Sequence, residues 1–205
     1  MDKKALLEQI EKSVNRCRNC RLFQGTMNAV PGEGNMNSEL VFVGEAPGAE
    51  EDKQGRPFVG RAGKLLEHFL KDIGYNREDV WIGNIVKHRP PENRDPLPDE
   101  IHACQGYLTA QLEAIDPKLV VTLGRFALNY FDKDGKISRD HGVLRNVGSR
   151  VILPLYHPAA ALRNPSVMEE LKADFKRIPD VLRTIKEKGL QKSVGAYEFQ
   201  MGLGV

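Results

Sequence analysis

Four short apolar runs, spaced along the chain and separated by helix-like segments, constrain what this sequence can fold into more than any other feature. Leu40-Val41-Phe42-Val43 stops at Gly44, residues 80–85 hold Asn84 near their end, residues 119–123 stop at Gly124, and residues 151–155 lead into His157. Runs of this length and composition read as strands buried on both faces. Between them, apolar residues recur with helical spacing: Leu65, Leu66, Phe69, Leu70 and Ile73 over residues 62–73, then a segment from Pro98 to about residue 115, then a long one over residues 166–188. Pro98 suits the first position of a helix. Strands alternating with helices imply an α/β fold: a single three-layer domain with a central, mainly parallel four-stranded sheet flanked by helices.

The remaining segments are read more coarsely. Leu6, Ile10 and Val14 predict a helix over residues 3–15, with Asp2 as its cap. Residues 25–38 and 132–142 read as loops, and four prolines exclude regular structure over residues 88–98. The domain is expected to occupy residues 1–190, with 191–205 a patternless tail.

Charge says little. A formal net charge of +2 falls short of the strongly basic balance of many dedicated nucleic-acid binders. No apolar stretch is long enough to span a membrane, and the N-terminus has no signal-peptide core, so a cytoplasmic protein without membrane contact is expected. The three cysteines, Cys17, Cys20 and Cys104, do not suggest a disulfide framework. Cys17 and Cys20 form a C-x-x-C pair, a spacing that lets two thiolates share one metal centre. The pair follows a predicted helix instead of opening one, which disfavours a thioredoxin-like role.

In such sheets the active site lies beyond the carboxyl ends of the strands. Gly44-Glu45-Ala46-Pro47-Gly48, Asn84 and His157-Pro158 all sit there. Residues 44–63, GEAPGAEEDKQGRPFVGRAG, turn tightly enough to approach a ligand, but they match neither a P-loop nor a dinucleotide fingerprint. Most of the carboxylates in that run read as a solvated face; Glu45 differs in lying directly at a strand end.

GEAPG, RPFVGRAG, NIVKHRPPENRDP and LYHPAAALRNP, in that order, resemble the family-4 uracil-DNA glycosylases from about Cys17 to Asp180. The resemblance implies excision of uracil from DNA by hydrolysis of the N-glycosidic bond, leaving an abasic site, with uracil-containing DNA as partner and a monomeric enzyme. It places Gly44, Phe58, Asn84 and His157 at the substrate: Phe58 stacks on the flipped base, Asn84 reads it through its amide, and His157 stabilises charge building on the leaving uracil. For the water activator it leaves a choice. The family-1 glycosylases carry an aspartate in the motif GQDPYH where this chain has Ala46, so Glu45 is the first candidate, by side chain or backbone, and Glu51 the second. A leucine four positions beyond the histidine fills the gap left by the base in family 1. Here that position is Ala161, and Leu162 or Arg163 stands in for it. Lys87, Arg89 and Arg94 on the proline-rich loop could contact phosphates.

Family-4 enzymes also imply a [4Fe-4S] cluster held by four cysteines. Cys17, Cys20 and Cys104 match three of them. The position of the remaining ligand is His88, sixteen residues before Cys104 as the family's cysteine is. Three arrangements follow: His88 ligates iron, the cluster has three protein ligands, or the set binds zinc, for which Cys₃His is ordinary. The Lys-His pair also resembles the family-X glycosylases, but the K-R-R-I-H loop that forms their covalent DNA link is missing. Competing functions are a non-catalytic nucleic-acid binder of the same fold, a glycosylase for other deaminated bases, and a thiol redox protein.

Overall fold

The computed structural model describes residues 2–188, and the expected tail 191–205 lies outside them. Six strands form one sheet: β1 (Glu33–Gly34), β2 (Leu40–Gly44), β3 (Trp81–Asn84), β4 (Leu119–Leu123), β5 (Arg145–Val147) and β6 (Arg150–Leu155). Their order is β1-β3-β2-β4-β6-β5. The four apolar runs are the four parallel central strands, as the sequence predicts. The other two are very short and antiparallel; β1 falls in a segment expected to be a loop, and β5 in a stretch that the sequence reading left unassigned. Two or three residues are too few to show an alternating pattern, which explains why they escape sequence reading.

The helices are α1 (Lys3–Asn15), α2 (Ala49–Gln54), α3 (Arg61–Asp72), α4 (Pro98–Ile115), α5 (Arg125–Phe131), α6 (Ile137–Asp140), α7 (Pro158–Ala161) and α8 (Pro165–Lys188). Asp2 stands at the N-cap of α1 with extended backbone, but its carboxylate makes no capping hydrogen bond. Pro98 opens α4 as expected, and its cap is the carboxylate of Glu100, which accepts from the Leu97 amide at 2.8 Å.

Alternation along β2 explains the three layers. Leu40 and Phe42 face one core with α3 and α8, while Val41 and Val43 face the other with α4 and α5. In the first core Phe175 of α8 lies against Phe42 (ring centroids 5.8 Å apart) and Phe69 (5.0 Å). Pro154 is tolerated inside β6 because β5 pairs no further than Ile152, so that strand is an edge where the proline stands. Among the described residues no helix is long and apolar enough to cross a membrane.

Phe175 is 1% exposed and joins the sheet to two helices. Phe175→Ala should therefore lower the unfolding free energy by about 3–5 kcal/mol in a denaturant titration, through lost burial and the cavity left behind.

Candidate active site

Parallel β2 and β3 end in register, with Gly44 opposite Asn84. A cleft of about 610 Å³ opens beyond them, lined by Glu45, Phe58, Asn84, Tyr156 and His157 among others. The three strand-end motifs singled out in the sequence thus converge on one cavity. So does the end of β4, where Gly124 and Arg125 line the same cleft.

Asn84 is 1% exposed, and its side-chain carbonyl has no hydrogen-bond partner. An unsatisfied buried acceptor costs about 1–3 kcal/mol, so a native protein retains one chiefly where a ligand completes it. Its position is set from below. Lys87 is fully buried and donates from Nζ to the Asn84 backbone carbonyl (2.9 Å) and to Gln111 Oε1 (2.8 Å). A Cβ on Gly44 would stand 2.5 Å from both Asn84 Oδ1 and the Phe58 ring, so only glycine lets these two side chains share the cleft floor.

Phe58 has φ +51°, an uncommon left-handed conformation for a bulky residue. Its ring centroid is 5.6 Å from that of His157. His157 caps α7: its Nδ1 accepts from the Ala159 amide at 3.1 Å. That bond fixes the tautomer, leaving Nε2 as the protonated nitrogen. Burial pushes the imidazole down to about 4, against the opposing pull of Glu51, so the ring is a neutral donor at physiological pH.

The two candidate carboxylates separate cleanly. Glu51 is engaged within its own loop: Oε1 accepts from the amides of Val59 and Gly60 (2.8 Å each), and Oε2 from Gly48 (3.1 Å). It anchors the turn that carries Phe58 and is not free to activate water. Glu45 makes no such bonds. Burial raises its carboxyl to about 7, with Asp95 adding to the shift and Arg125 opposing it.

The expected DNA contacts divide in the same way. Lys87 is buried under Asn84 and cannot reach a phosphate. Arg94 is held by the Glu100 carboxylate in a two-pronged pair (2.8 and 2.7 Å), so its charge is neutralised within the fold. Arg89 donates to Asn93 Oδ1 at 2.7 Å. Ala161 is buried in the core, whereas Leu162 is 37% exposed and Arg163 is exposed at the cleft. Arg125 and Tyr156 are cleft residues that the sequence reading missed; Gly124 at the end of β4 was the available signal for the first.

The three cysteines are free. They are close enough to influence one another electrostatically, and Cys104 is hydrogen-bonded to the Lys87 backbone. Burial pushes the Cys104 thiol up to about 12, a shift that a bound cation would reverse. His88 adjoins this contact and is buried, but the charges acting on its ring are those of Asp52 and Arg18. Among the described residues no three His, Cys, Asp or Glu side chains are close enough to grip a single ion. Three thiols are a donor set that an iron–sulfur cluster and zinc both accept.

The uracil DNA glycosylase superfamily model matches residues 31–183. The chain belongs to that superfamily. It is 48% identical to a type-4 uracil-DNA glycosylase of Sulfurisphaera tokodaii over 92% of this chain and 90% of the relative. It is 49% identical to one of Archaeoglobus fulgidus, over 85% and 92% respectively. A type-4 enzyme of Thermotoga maritima is 48% identical over 78% of this chain and 85% of its own. The superfamily match spans the cleft and the helices behind it, including Glu45, Phe58, Asn84 and His157, while Cys17 and Cys20 lie before it.

The tautomer assignment is open to direct measurement. In a ¹⁵N NMR titration His157 should remain neutral with its proton on Nε2 until the pH falls to about 4; protonation near the ordinary value of about 6.5 would contradict the buried, capped geometry.

Proposed function

We propose that this chain removes uracil from DNA by hydrolysing the N-glycosidic bond, leaving an abasic site in an unbroken strand. The observation that carries the reading is the unpartnered Asn84 carbonyl beside Phe58 and a donor imidazole at one cleft floor. A base flipped into this space stacks on Phe58. Asn84 Oδ1 accepts from uracil N3–H while its NH₂ donates to O4. Cytosine presents a lone pair at N3 and an amino group at C4, so a fixed Asn84 refuses it. As the bond to the sugar breaks, negative charge grows on the ring, including O2, and the Nε2–H of His157 donates there. A neutral imidazole does this without a proton having to change hands.

Glu45 orients the water that attacks the sugar carbon and takes its proton. With its carboxyl near 7, a useful fraction is ionised at neutral pH and the group still holds a proton once it has received one. Lys87, the lysine beside Asn84, has its ammonium engaged by two acceptors, so it is no nucleophile for strand cleavage. Leu162 and Arg163, exposed beyond α7, face the DNA that the base has left.

Cys17, Cys20 and Cys104 would hold an iron–sulfur cluster in this reading, and His88, which follows the Lys87 backbone bonded to Cys104, is the candidate fourth ligand. The cluster ties the N-terminal segment to α4 and to the loop after β3. Base excision transfers no electrons, so its contribution is structural.

Three outcomes test these assignments. On an oligonucleotide with one deoxyuridine, the enzyme should release free uracil and give strand breaks only after alkali; breaks without alkali would refute the monofunctional assignment. The single-turnover rate should rise with pH through about 7 and then level, because Glu45 acts when ionised. Asp95→Asn should move that rise to lower pH by removing a charge that holds the Glu45 carboxyl up, and Glu45→Gln should flatten it. Finally, His88→Ala should lower the iron content of the purified protein; unchanged iron and visible spectrum would mean that His88 is not a ligand.

A further inference from the structure

The segment Pro31-Gly32-Glu33-Gly34 touches no reacting group, yet its carboxylate is connected to the cleft. Gly32 (φ +111°) and Gly34 (φ +130°) lie so close to β3 that a Cβ would stand 2.5 Å from the Trp81 ring in the first case and 2.0 Å from the Val80 carbonyl in the second. Glycine at both places lets β1 lie flush against β3, with Glu33 opposite Ile82. The Glu33 carboxylate then reaches Arg77 Nε (2.9 Å) and, in a two-pronged pair, Arg56 Nε and Nη2 (2.8 Å each).

Arg77 sits in a 3-10 turn, Arg77–Asp79, just before β3. Its remaining two nitrogens donate to the backbone carbonyls of Phe58 (2.9 Å) and Pro57. All three guanidinium nitrogens are thus engaged, and the side chain is only 15% exposed. On the far side of Phe58, Glu51 holds the amides of Val59 and Gly60. The backbone around the stacking residue is therefore gripped on both sides: the Pro57 and Phe58 carbonyls by a cation, the Val59 and Gly60 amides by an anion. Phe58 is the residue that needs such a grip, because its left-handed backbone persists only where surrounding structure over-determines it.

We propose that Arg77, oriented by Glu33, is a positioning residue for base recognition: it locks the Phe58 backbone and so fixes the face on which uracil stacks. The inference rests on the stacking role of Phe58 stated above. Arginine is required because its planar fork serves two carbonyls and one carboxylate at once, which the single point of a lysine ammonium does not.

Free uracil is the probe, read as its inhibition constant beside KM, the single-turnover rate and the melting temperature. Phe58→Ala should raise the inhibition constant about tenfold, as loss of one base–aromatic stack does. Arg77→Met should raise it in the same direction by a smaller factor, and Arg77→Lys should not restore it. Adding Arg77→Met to Phe58→Ala should change it no further, because the clamp then has no ring to hold. Glu33→Gln, which leaves Arg77 in place, provides a milder variant should Arg77→Met fail to fold, and it too should weaken uracil only while Phe58 is present. If Phe58→Ala leaves the inhibition constant unchanged, the stacking role is wrong. If Phe58→Ala weakens uracil while the Arg77 and Glu33 variants lower only the melting temperature, or act equally with and without the Phe58 ring, the clamp is refuted and Arg77 is merely structural.

Discussion

Gly44 and Asn84 face each other where β2 and β3 end, and the rest of the site is arranged around that pairing. Parallel register brings an amide side chain to the floor of the cleft, and the bare backbone opposite leaves room for the Phe58 ring beside it. Lys87 secures the Asn84 backbone from beneath by reaching back to its carbonyl, so the amide is held on a rigid element and not on a loop. The cost is a buried carbonyl without a partner. A bound ligand can supply the missing hydrogen bond, and in the proposed function uracil N3–H does so, which makes the same atom a source of selectivity for one base.

Electrostatics at the cleft follow from burial more than from neighbouring charge. Desolvation pushes His157 and Glu45 in opposite senses, the imidazole down to about 4 and the carboxyl up to about 7. Both shifts favour the neutral form. For the histidine this yields a fixed Nε2–H donor directed by the α7 amide at its other nitrogen. For the glutamate it yields a group poised between acid and base near neutral pH. Two loops of ordinary polarity thus acquire distinct proton affinities from their depth beside the sheet.

The central sheet was legible because its four strands are continuous apolar runs separated by helix-spaced segments. Asn84 and His157 stand out in the sequence because each lies at or near a strand end, whereas Phe58, in the loop before α3, is singled out only by the family resemblance. What escaped was of a different kind. Glu51 reads as a second candidate behind Glu45, and only three amide contacts reveal that it is a loop anchor. Arg94 reads as a phosphate ligand until Glu100, six residues on, is seen to neutralise it. Lys87 reads as surface charge and is fully buried. The two-residue strand carrying Glu33 has too little pattern to find, yet its glycines bring a carboxylate to Arg77. These are pairings of polar groups through turns or between strands, and no hydrophobic periodicity encodes them.

In the proposed function Asn84 reads the base, and exchange of its amide for a carboxyl tests that most directly. Asn84→Asp should be assayed for release of uracil and of cytosine from otherwise identical oligonucleotides. The amide's fixed acceptor–donor pair is lost, so uracil release should fall steeply, and a protonated carboxyl can now donate to cytosine N3 while accepting from its amino group. The ratio of uracil to cytosine release should therefore collapse. A variant that keeps both the full rate on uracil and the original refusal of cytosine would show that the base is read elsewhere in the cleft.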